Sequence, residues 1–179
     1  MTRRRSTKKA QPYTDARPDA LELMGRMLVG SSYRVPVVGK GTKPGLQATD
    51  IAGAAGLMTT RLGREVALAV STRADRQAVA VVAMHAYGRL ARTVLRMRPP
   101  RALDLRSAAD RWRLRMIAFD AAMELVHPER RQPYQALARA SKMRKADYIR
   151  VHQAITAELQ ELMNNASREF GGRLWGLFD

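Results

Sequence analysis

The segment Pro133-Tyr-Gln-Ala-Leu-Ala-Arg-Ala-Ser-Lys-Met-Arg-Lys145 decides the fold that we predict for this chain. Proline suits the first turn of a helix, so the segment predicts a short helix over residues 134–140. A basic turn follows, and a long helix then runs from Ala146 to about Phe170. A short first helix, a tight turn and a second helix are the layout of a DNA-binding helix-turn-helix, which we place at residues 133–170.

The long helix carries an apolar stripe on one side, which is expected to face the core. Gly171-Gly172 is expected to end the helix, because glycine is common just past a helix C-terminus. The tail after these glycines contains Trp175, which we expect to pack back on the core. The alternative is that the tail anchors a protein partner. The stripe comprises Tyr148, Val151, Ile155, Leu159, Leu162, Met163 and Phe170.

The turn and the start of the long helix place basic side chains where a recognition helix contacts DNA. The N-terminal side chains of such a helix enter the major groove, where arginine pairs with guanine and glutamine with adenine. We expect Arg150 and Gln153 to read bases, and Lys142 and Lys145 to hold phosphates. The alternative is a solvated helix face, which the charge of the whole chain disfavours. The predicted DNA-binding residues are Lys142, Arg144, Lys145, Tyr148, Arg150 and Gln153.

The composition favours a polyanionic partner. The 179 residues contain 32 Lys and Arg against 16 Asp and Glu, which gives a net charge of +16. Solubility of a small domain needs a net charge of only about 2–8, so the excess indicates nucleic acid. A ribosomal or otherwise RNA-embedded protein is an alternative with the same partner chemistry, and membrane binding is less favoured.

The sequence offers no recognisable catalytic machinery, so we expect no enzymatic activity and no cofactor. No cysteine is present, which excludes disulfides, thiolate zinc sites and a cysteine nucleophile. His85, His127 and His152 match no metal-ligand spacing, so no metal site is predicted, and the first two are expected to be structural. The absence of a signal peptide and of a long apolar run leads us to expect a cytoplasmic protein.

The rest of the chain also predicts helices, and the predicted fold is a mainly α helical bundle. Residues 1–18 are basic and polar and predict a disordered arm, which either lies along phosphates or only aids solubility. Residues 19–100 form a predicted N-terminal helical region and residues 101–179 a C-terminal one. We find no strand alternation and no internal repeat of fixed period. Further helices are predicted over residues 19–29, 49–58 with Thr49 as cap, 61–71, 75–98 and 107–126.

The helix that begins at Ser107 shows apolar residues at three- and four-residue spacing, which predicts the face that it buries. Ile117 and Ala122 lie beside this face, and the helix is expected to stop at His127-Pro128. The predicted buried residues are Trp112, Met116, Phe119, Met123 and Val126.

A second concentration of arginine runs from Arg89 to Arg115. Arg89, Arg92 and Arg96 share one helix face by their spacing, so nucleic acid along this face is one expectation. An exposed helix whose arginine stems pack on apolar neighbours is an equal alternative. The residues predicted to contact nucleic acid or a protein partner here and in the tail are Arg89, Arg92, Arg96, Arg98, Arg113 and Trp175.

Two patches of the chain carry a family resemblance. The first is Leu46-Gln-Ala-Thr-Asp-Ile-Ala-Gly-Ala-Ala-Gly-Leu-Met58, continued by Leu62-Gly63 and Ala67-Leu-Ala69. The second is Ala146-Asp-Tyr148, with Ile155, Leu159 and Glu169 behind it. The patches resemble the opening of the helical body and the final helix of the lambdoid phage Q antitermination proteins.

The resemblance implies a protein of the bacterial host cytoplasm that binds double-stranded DNA near a phage late promoter. Such a protein engages the sigma and beta-flap regions of paused RNA polymerase, stays with the enzyme, and prevents hairpin terminators from forming. The turn 142–145 would then correspond to the DNA-reading part, and the Arg89–Arg115 surface would face nascent RNA, DNA or the polymerase. Lambda-type members also carry a cysteine-rich zinc-binding insertion, which this cysteine-free chain lacks.

Two other classes of protein stay open at this stage. One is a DNA-binding protein of another process, either a small terminase subunit or a conventional helix-turn-helix regulator. Such a protein needs an oligomer, because a single short recognition helix gives limited specificity. The other is a structural component that is bound to RNA or to a virion.

Overall fold

Helices build the part of the chain that the structure describes. The structure is a computed structural model, and it describes residues 19–29, 47–97 and 102–176. No strand occurs within these ranges, which confirms the predicted mainly α fold. The helices are α1 (Ala20–Val29), α2 (Ala48–Gly56), α3 (Arg61–Ser71), α4 (Arg76–Arg96), α5 (Ala108–Val126), α6 (Tyr134–Ala140) and α7 (Lys145–Trp175), with a 3₁₀ turn at Pro128–Arg130.

Several sequence predictions concern residues outside the described ranges. They are the basic arm 1–18, Arg98, and the end of the tail, 177–179; residues 30–46 and 99–101 also lie outside these ranges. The surface described below therefore excludes the cations of these segments.

The predicted helices are present, and their ends differ most for α2 and α7. Helix α2 begins at Ala48, so Thr49 lies inside the helix and is not its cap. Gln47 is the N-cap residue, and its backbone N–H donates to Asp50 Oδ2 at 2.8 Å. This reciprocal capping satisfies a backbone donor that the helix itself leaves without a partner.

Helix α7 continues through Gly171-Gly172, so the prediction that these glycines end it is wrong. Leu174 lies one turn beyond Phe170, and both side chains are fully buried in a cluster that includes α1 and α2. The two glycines together cost about 2 kcal/mol relative to alanine, whereas burial of Leu174 contributes about 1.5–3 kcal/mol and the partial burial of Trp175 adds to it. Packing therefore outweighs propensity here. Trp175 is half-buried against the same cluster, so the tail packs back on the core through this residue.

Two hydrophobic clusters form the core, and α7 passes through both. The larger cluster packs α3, α4, α5 and α6 against the first part of α7, from Tyr148 to Leu162. The smaller cluster packs α1 and α2 against the C-terminal part of α7, around Met24, Ile51 and Phe170. The larger cluster takes residues from both sides of residue 100, so the predicted N-terminal and C-terminal regions share a core.

Helix α5 buries a different face from the predicted one. Trp112, which was expected in the core, is 44% exposed, and Met116, Phe119 and Met123 are only half-buried. Helix α5 packs against both α4 and α7, and small side chains on its inner face allow these helices to approach closely. A prediction that favours the largest apolar residues misses this face. The residues that it buries are Leu114, Ile117, Ala118, Ala121, Ala122 and Val126.

The α3–α4 and α6–α7 connections have the same backbone conformation. Thr72 and Ser141 close the first helices at φ −91°, ψ 0° and φ −81°, ψ 0°. Arg73 and Lys142 follow at φ 49° and φ 52°, and among the described residues no other non-glycine has a positive φ. This conformation favours glycine, which is frequent in helix-turn-helix turns.

The hydrogen bonds of the two turns also correspond. Ala74 donates its N–H to the carbonyl of Ala69, and Met143 donates to Ala138, both at 2.9 Å. Each bond joins residues five apart in sequence, as in the Schellman motif, which satisfies carbonyls at a helix C-terminus. Both carbonyls belong to an Ala-Leu-Ala sequence, at residues 67–69 and 136–138.

The second helix of each pair buries equivalent positions. When Arg73 is aligned with Lys142, the buried residues Val79, Val82, Ala86 and Leu90 of α4 fall on Tyr148, Val151, Ile155 and Leu159 of α7. The described part of the chain therefore contains two helical hairpins with the same turn geometry, the α3–α4 unit and the α6–α7 unit, separated by α5. Because α5 lies between the two units, they give the sequence no repeat of fixed period.

The substitution Arg73→Gly is expected to stabilise the fold by about 0.5–1 kcal/mol. The left-handed conformation costs an L-residue about 1–2 kcal/mol, whereas glycine adopts it without strain and loses part of that gain to backbone entropy. The ion pair of Arg73 with Glu129, at 3.3 Å, is exposed on both sides and contributes little. Urea unfolding measures the effect. Arg73→Ala is the matched control, because it removes the same ion pair and keeps the strained conformation. Equal stability of the two variants would contradict the assigned turn.

Candidate nucleic-acid interface

Three of the predicted DNA-binding cations surround the start of α7. Lys142 lies in the turn, Arg144 is the N-cap residue of α7, and Lys145 is the first residue of the helix. All three side chains are exposed. Arg139, near the end of α6, is exposed at the same turn, and the spacing of the turn alone gave no reason to include it. The turn end of the α6–α7 unit is therefore strongly basic.

The N-terminus of α7 has no side-chain cap. Arg144 occupies the cap position and makes no capping hydrogen bond through its side chain. By contrast, Thr60 caps α3 by accepting from Gly63, and Asp75 caps α4 by accepting from Ala78. The first N–H groups of a helix lack intrahelical partners and, with the helix dipole, favour an anion. Together with the cations around it, this N-terminus is suited to a phosphate.

Tyr148 is buried, so its prediction as a DNA-contacting residue is wrong. Its side chain has no exposed surface, and its hydroxyl donates to Asp120 Oδ2 of α5 at 2.8 Å. Burial, together with the carboxylate of Asp120, raises the pKa of Tyr148 far above its ordinary value, so the hydroxyl stays protonated as a donor. The role of Tyr148 is to hold the start of α7 on α5, as its place in the apolar stripe predicts.

Arg150 and Gln153 lie farther along α7, on the side away from the core. Gln153 is exposed. The Arg150 side chain is 39% exposed, and its Nη2 lies 3.8 Å from Asp147 Oδ1 of the same helix. This ion pair is long and half-exposed, and the Arg150 side chain is also engaged within the protein. Gln153 is therefore accessible to DNA as it stands, and Arg150 needs a change of side-chain conformation.

An aromatic cluster lies behind the start of α7. His152 is buried, stacks on Tyr148 with ring centroids 5.6 Å apart, and meets the ring of Tyr134 edge-on at 5.2 Å. Its Nε2 lies 3.6 Å from Glu124 Oε2. His152 lies four residues after Tyr148 and three before Ile155, so helical spacing places it on the apolar stripe, and only its polar ring argued against burial. The cluster fixes the orientation of α7 relative to α6 and α5.

The arginine stretch divides into residues with different environments. Arg89 is half-buried, and its Nε donates to Glu158 of α7, which also accepts from Thr93 Oγ1 at 2.9 Å. Arg89 therefore links α4 to α7, and any contact with nucleic acid competes with this ion pair. Arg92 and Arg96 are exposed on α4. The spacing of Arg92 and Arg96 predicted that they share one helix face with Arg89. The two are exposed to solvent, whereas Arg89 is half-buried and paired with Glu158.

The remaining candidates of this group are partly engaged. Arg113 forms an ion pair with Asp110 of α5 at 2.5 Å. Trp175 is half-buried against the smaller cluster, as described above. Of the predicted residues in this second group, Arg92 and Arg96 are therefore the ones that the structure leaves exposed, and Arg98 lies outside the described ranges.

The other two histidines make contacts within the protein. The Nε2 of His127 lies 2.9 Å from the carbonyl oxygen of Ala74, to which it donates, and so joins the end of α5 to the α3–α4 turn. His85 Nδ1 lies 2.6 Å from Glu65 Oε2 and joins α4 to α3. Both contacts have the character of structural links between helices.

Comparisons with known proteins returned no relative: no family model, no curated protein and no solved structure matches this chain. Within the described ranges, no group of three or more His, Cys, Asp or Glu residues is placed to hold a metal ion. No helix in the same ranges is long and apolar enough to cross a membrane.

The α6–α7 unit is expected to lose stability on mild acidification. Burial lowers the pKa of His152 below its ordinary value of 6.5, although Glu124 opposes this shift and Arg131 adds to it. The unfolded chain therefore binds a proton at a pH where the folded protein does not, so the free energy of unfolding falls from about pH 7 to about pH 5. Chemical denaturation at several pH values measures this slope.

The variant His152→Phe provides the control for this acid sensitivity. It keeps an aromatic ring against Tyr134 and Tyr148 and removes the titrating group. Its free energy of unfolding should depend less on pH in this window than that of the parent. The same slope in both proteins would show that another group is responsible.

Proposed function

We propose that the chain is a double-stranded DNA-binding protein that reads DNA with the α6–α7 unit. The observation that carries this proposal is the left-handed turn at Lys142, which presents exposed cations at an uncapped helix N-terminus. The net charge of +16 supports the same conclusion. The second helix of such a unit enters the major groove with its N-terminal end first.

The environments of the side chains suggest a role for each residue. Lys142 and Lys145 are exposed at the turn end and would bind phosphates, together with the first N–H groups of α7. Arg144, Arg150 and Gln153 would reach base edges. Tyr148 and His152 act as positioning residues, because they pack the other side of α7 against α5 and α6.

Base reading by Arg144 and Arg150 can be tested on a DNA site selected from a randomised duplex pool. Arg144→Ala and Arg150→Ala are each expected to weaken binding to the selected site by about 1–3 kcal/mol and to change binding to random DNA much less. Lys145→Ala should weaken binding to the selected site and to random DNA alike. The salt dependence of its Kd should correspond to the release of about one counterion fewer. Fluorescence anisotropy at several salt concentrations measures both quantities.

Arg168→Ala is the matched control for these variants. Arg168 is also an exposed arginine of α7, about 35 Å along the helix from Lys145, and its guanidinium contacts Asn164 and Asn165. Arg168→Ala also removes one positive charge, but at a position distant from the proposed interface. An equal effect of Arg168→Ala and Arg144→Ala would mean that only the overall charge matters, which contradicts the proposed interface.

The process that this DNA binding serves is proposed from the family resemblance. We propose late-gene transcription antitermination in a phage, with contacts to the beta flap and sigma of host RNA polymerase and to nascent RNA, in the bacterial cytoplasm. Arg92 and Arg96 are candidate contacts for polymerase or RNA, since they are exposed on α4. The chain contains no cysteine, so this role would have to be carried out without the family's zinc module.

Transcription past a terminator tests this role. Purified RNA polymerase on late promoters from the source genome should read through a hairpin terminator when the protein is added, and Arg144→Ala should reduce the read-through. Unchanged termination on every such promoter, with DNA binding intact, would favour the alternative functions. A ring-sized mass in light scattering would then indicate a small terminase subunit, and a dimer would indicate a conventional regulator.

A further inference from the structure

The α3–α4 unit has the backbone of a DNA-reading unit but a different outer face. Alignment of the two turns places Asp75 on Arg144, Val81 on Arg150 and Met84 on Gln153. Asp75 caps its own helix, so the N-terminus of α4 is closed by a carboxylate and is unsuited to a phosphate. Val81 and Met84 are 41% and 66% exposed, and neither can pair with a base edge.

A groove between α4 and α5 continues this apolar face. It is lined by Ala80, Ala83, Met84, Tyr87, Phe119 and Arg115. From Ala80 to Tyr87 the groove follows α4 for about 10 Å, the length of two helical turns. Its floor is apolar and half-covered, and its most exposed member, Met84, is a flexible side chain of the kind that adapts to an incoming apolar partner.

Cations lie at both ends of the groove. The guanidinium carbon of Arg76 is 5.2 Å from the ring centroid of Phe119, and that of Arg115 is 5.5 Å from the ring centroid of Tyr87. Among the described residues, no carboxylate forms an ion pair with Arg115, whereas Arg76 lies near Asp120, where its charge opposes the rise in the pKa of that carboxyl. The Tyr87 hydroxyl is covered and has no hydrogen-bond partner in the same ranges. This end of the groove therefore holds two donors that a carboxylate would satisfy.

We propose that the α4–α5 groove binds an acidic amphipathic helix of a partner protein. The apolar face of that helix would lie on Ala80, Met84 and Phe119. Its flanking carboxylates would pair with Arg76 at one end and with Arg115 and the Tyr87 hydroxyl at the other. This arrangement is a helix-in-groove mode of recognition, in which apolar contacts give affinity and flanking charges set the orientation.

Two other occupants of the groove, a second copy of this chain and nucleic acid, fit its surface less well. A second copy of this chain would bring Arg76 and Arg115 of both copies together across a two-fold axis, between proteins of +16 net charge. Nucleic acid would satisfy the arginines, but its phosphates would leave the apolar floor without a partner. The inference does not depend on DNA binding by α6–α7, because it uses different residues and either activity can fail alone.

Fluorescent synthetic peptides provide the probe, with the full-length chain as the receptor. The first peptide is a helix of about four turns with leucine at positions i, i+4, i+7 and i+11 and glutamate beside them. The second has lysine in place of every glutamate, and the third is a scrambled version of the first with the same charge. We expect the first peptide to bind with a Kd tighter than about 100 µM, and each of the others at least about tenfold more weakly.

Variants of the groove locate the binding. Met84→Glu and Arg115→Glu are each expected to weaken the first peptide at least about tenfold, and Tyr87→Phe to weaken it by a smaller factor. Leu57→Glu is the matched control, because Leu57 is a 58% exposed apolar residue at the end of α2 and outside the groove. It should leave the Kd unchanged. Met84 and Arg115 are exposed, so these variants are expected to fold, which circular dichroism checks.

Three outcomes would overturn the proposal. The first is equal affinity for the scrambled and amphipathic peptides, or an equal effect of Leu57→Glu and Met84→Glu, either of which shows non-specific attraction. The second is a dimer of the free protein that Met84→Glu dissociates, which makes a second copy the occupant. The third is loss of duplex DNA binding in Met84→Glu as large as in Arg144→Ala, which makes the groove part of a nucleic-acid surface.

Discussion

The burial of one continuous side of α7 is the constraint on which the rest of the structure depends. Helix α7 contacts each of α1 to α6, and its inner side is buried from Tyr148 to Leu174. A helix that is buried along such a length can occupy only one rotational orientation without exposing large apolar side chains. The orientation of α7 in turn decides which residues of its first turns face outward.

This constraint produces the candidate interface. Because Tyr148, Val151 and His152 face inward, Gln153 lies toward solvent and Arg150 is half-exposed beside it. Lys145 is exposed because it is the first residue of the helix. The hydrogen bond from Tyr148 to Asp120 and the stacking of His152 against the tyrosine rings hold this end of the helix in place. A DNA-reading helix needs such support from residues that do not touch DNA, since the side chains that reach bases must be presented at defined positions.

The α3–α4 and α6–α7 units show how similar backbones can present different chemistry. Both turns use a left-handed residue that is not glycine, and both second helices bury equivalent positions. The outer faces differ: α7 carries cations at an uncapped N-terminus, whereas α4 carries a capping aspartate and an apolar surface. Shared turn geometry therefore places a helix N-terminus at the same point of each unit, and only the side chains there differ in what they could bind.

The sequence by itself determined the helices, the turn at Ser141–Arg144, most of the buried stripe of α7, and the basic residues around Lys145. These features depend on spacing, capping and charge among residues that are close together in the sequence. Only the tertiary structure decided that α7 continues past Gly171-Gly172, that α5 buries its alanines and not Trp112, and that His152 is enclosed. It also decided that Arg89 is engaged by Glu158, because each of these outcomes depends on which distant helix covers the residue.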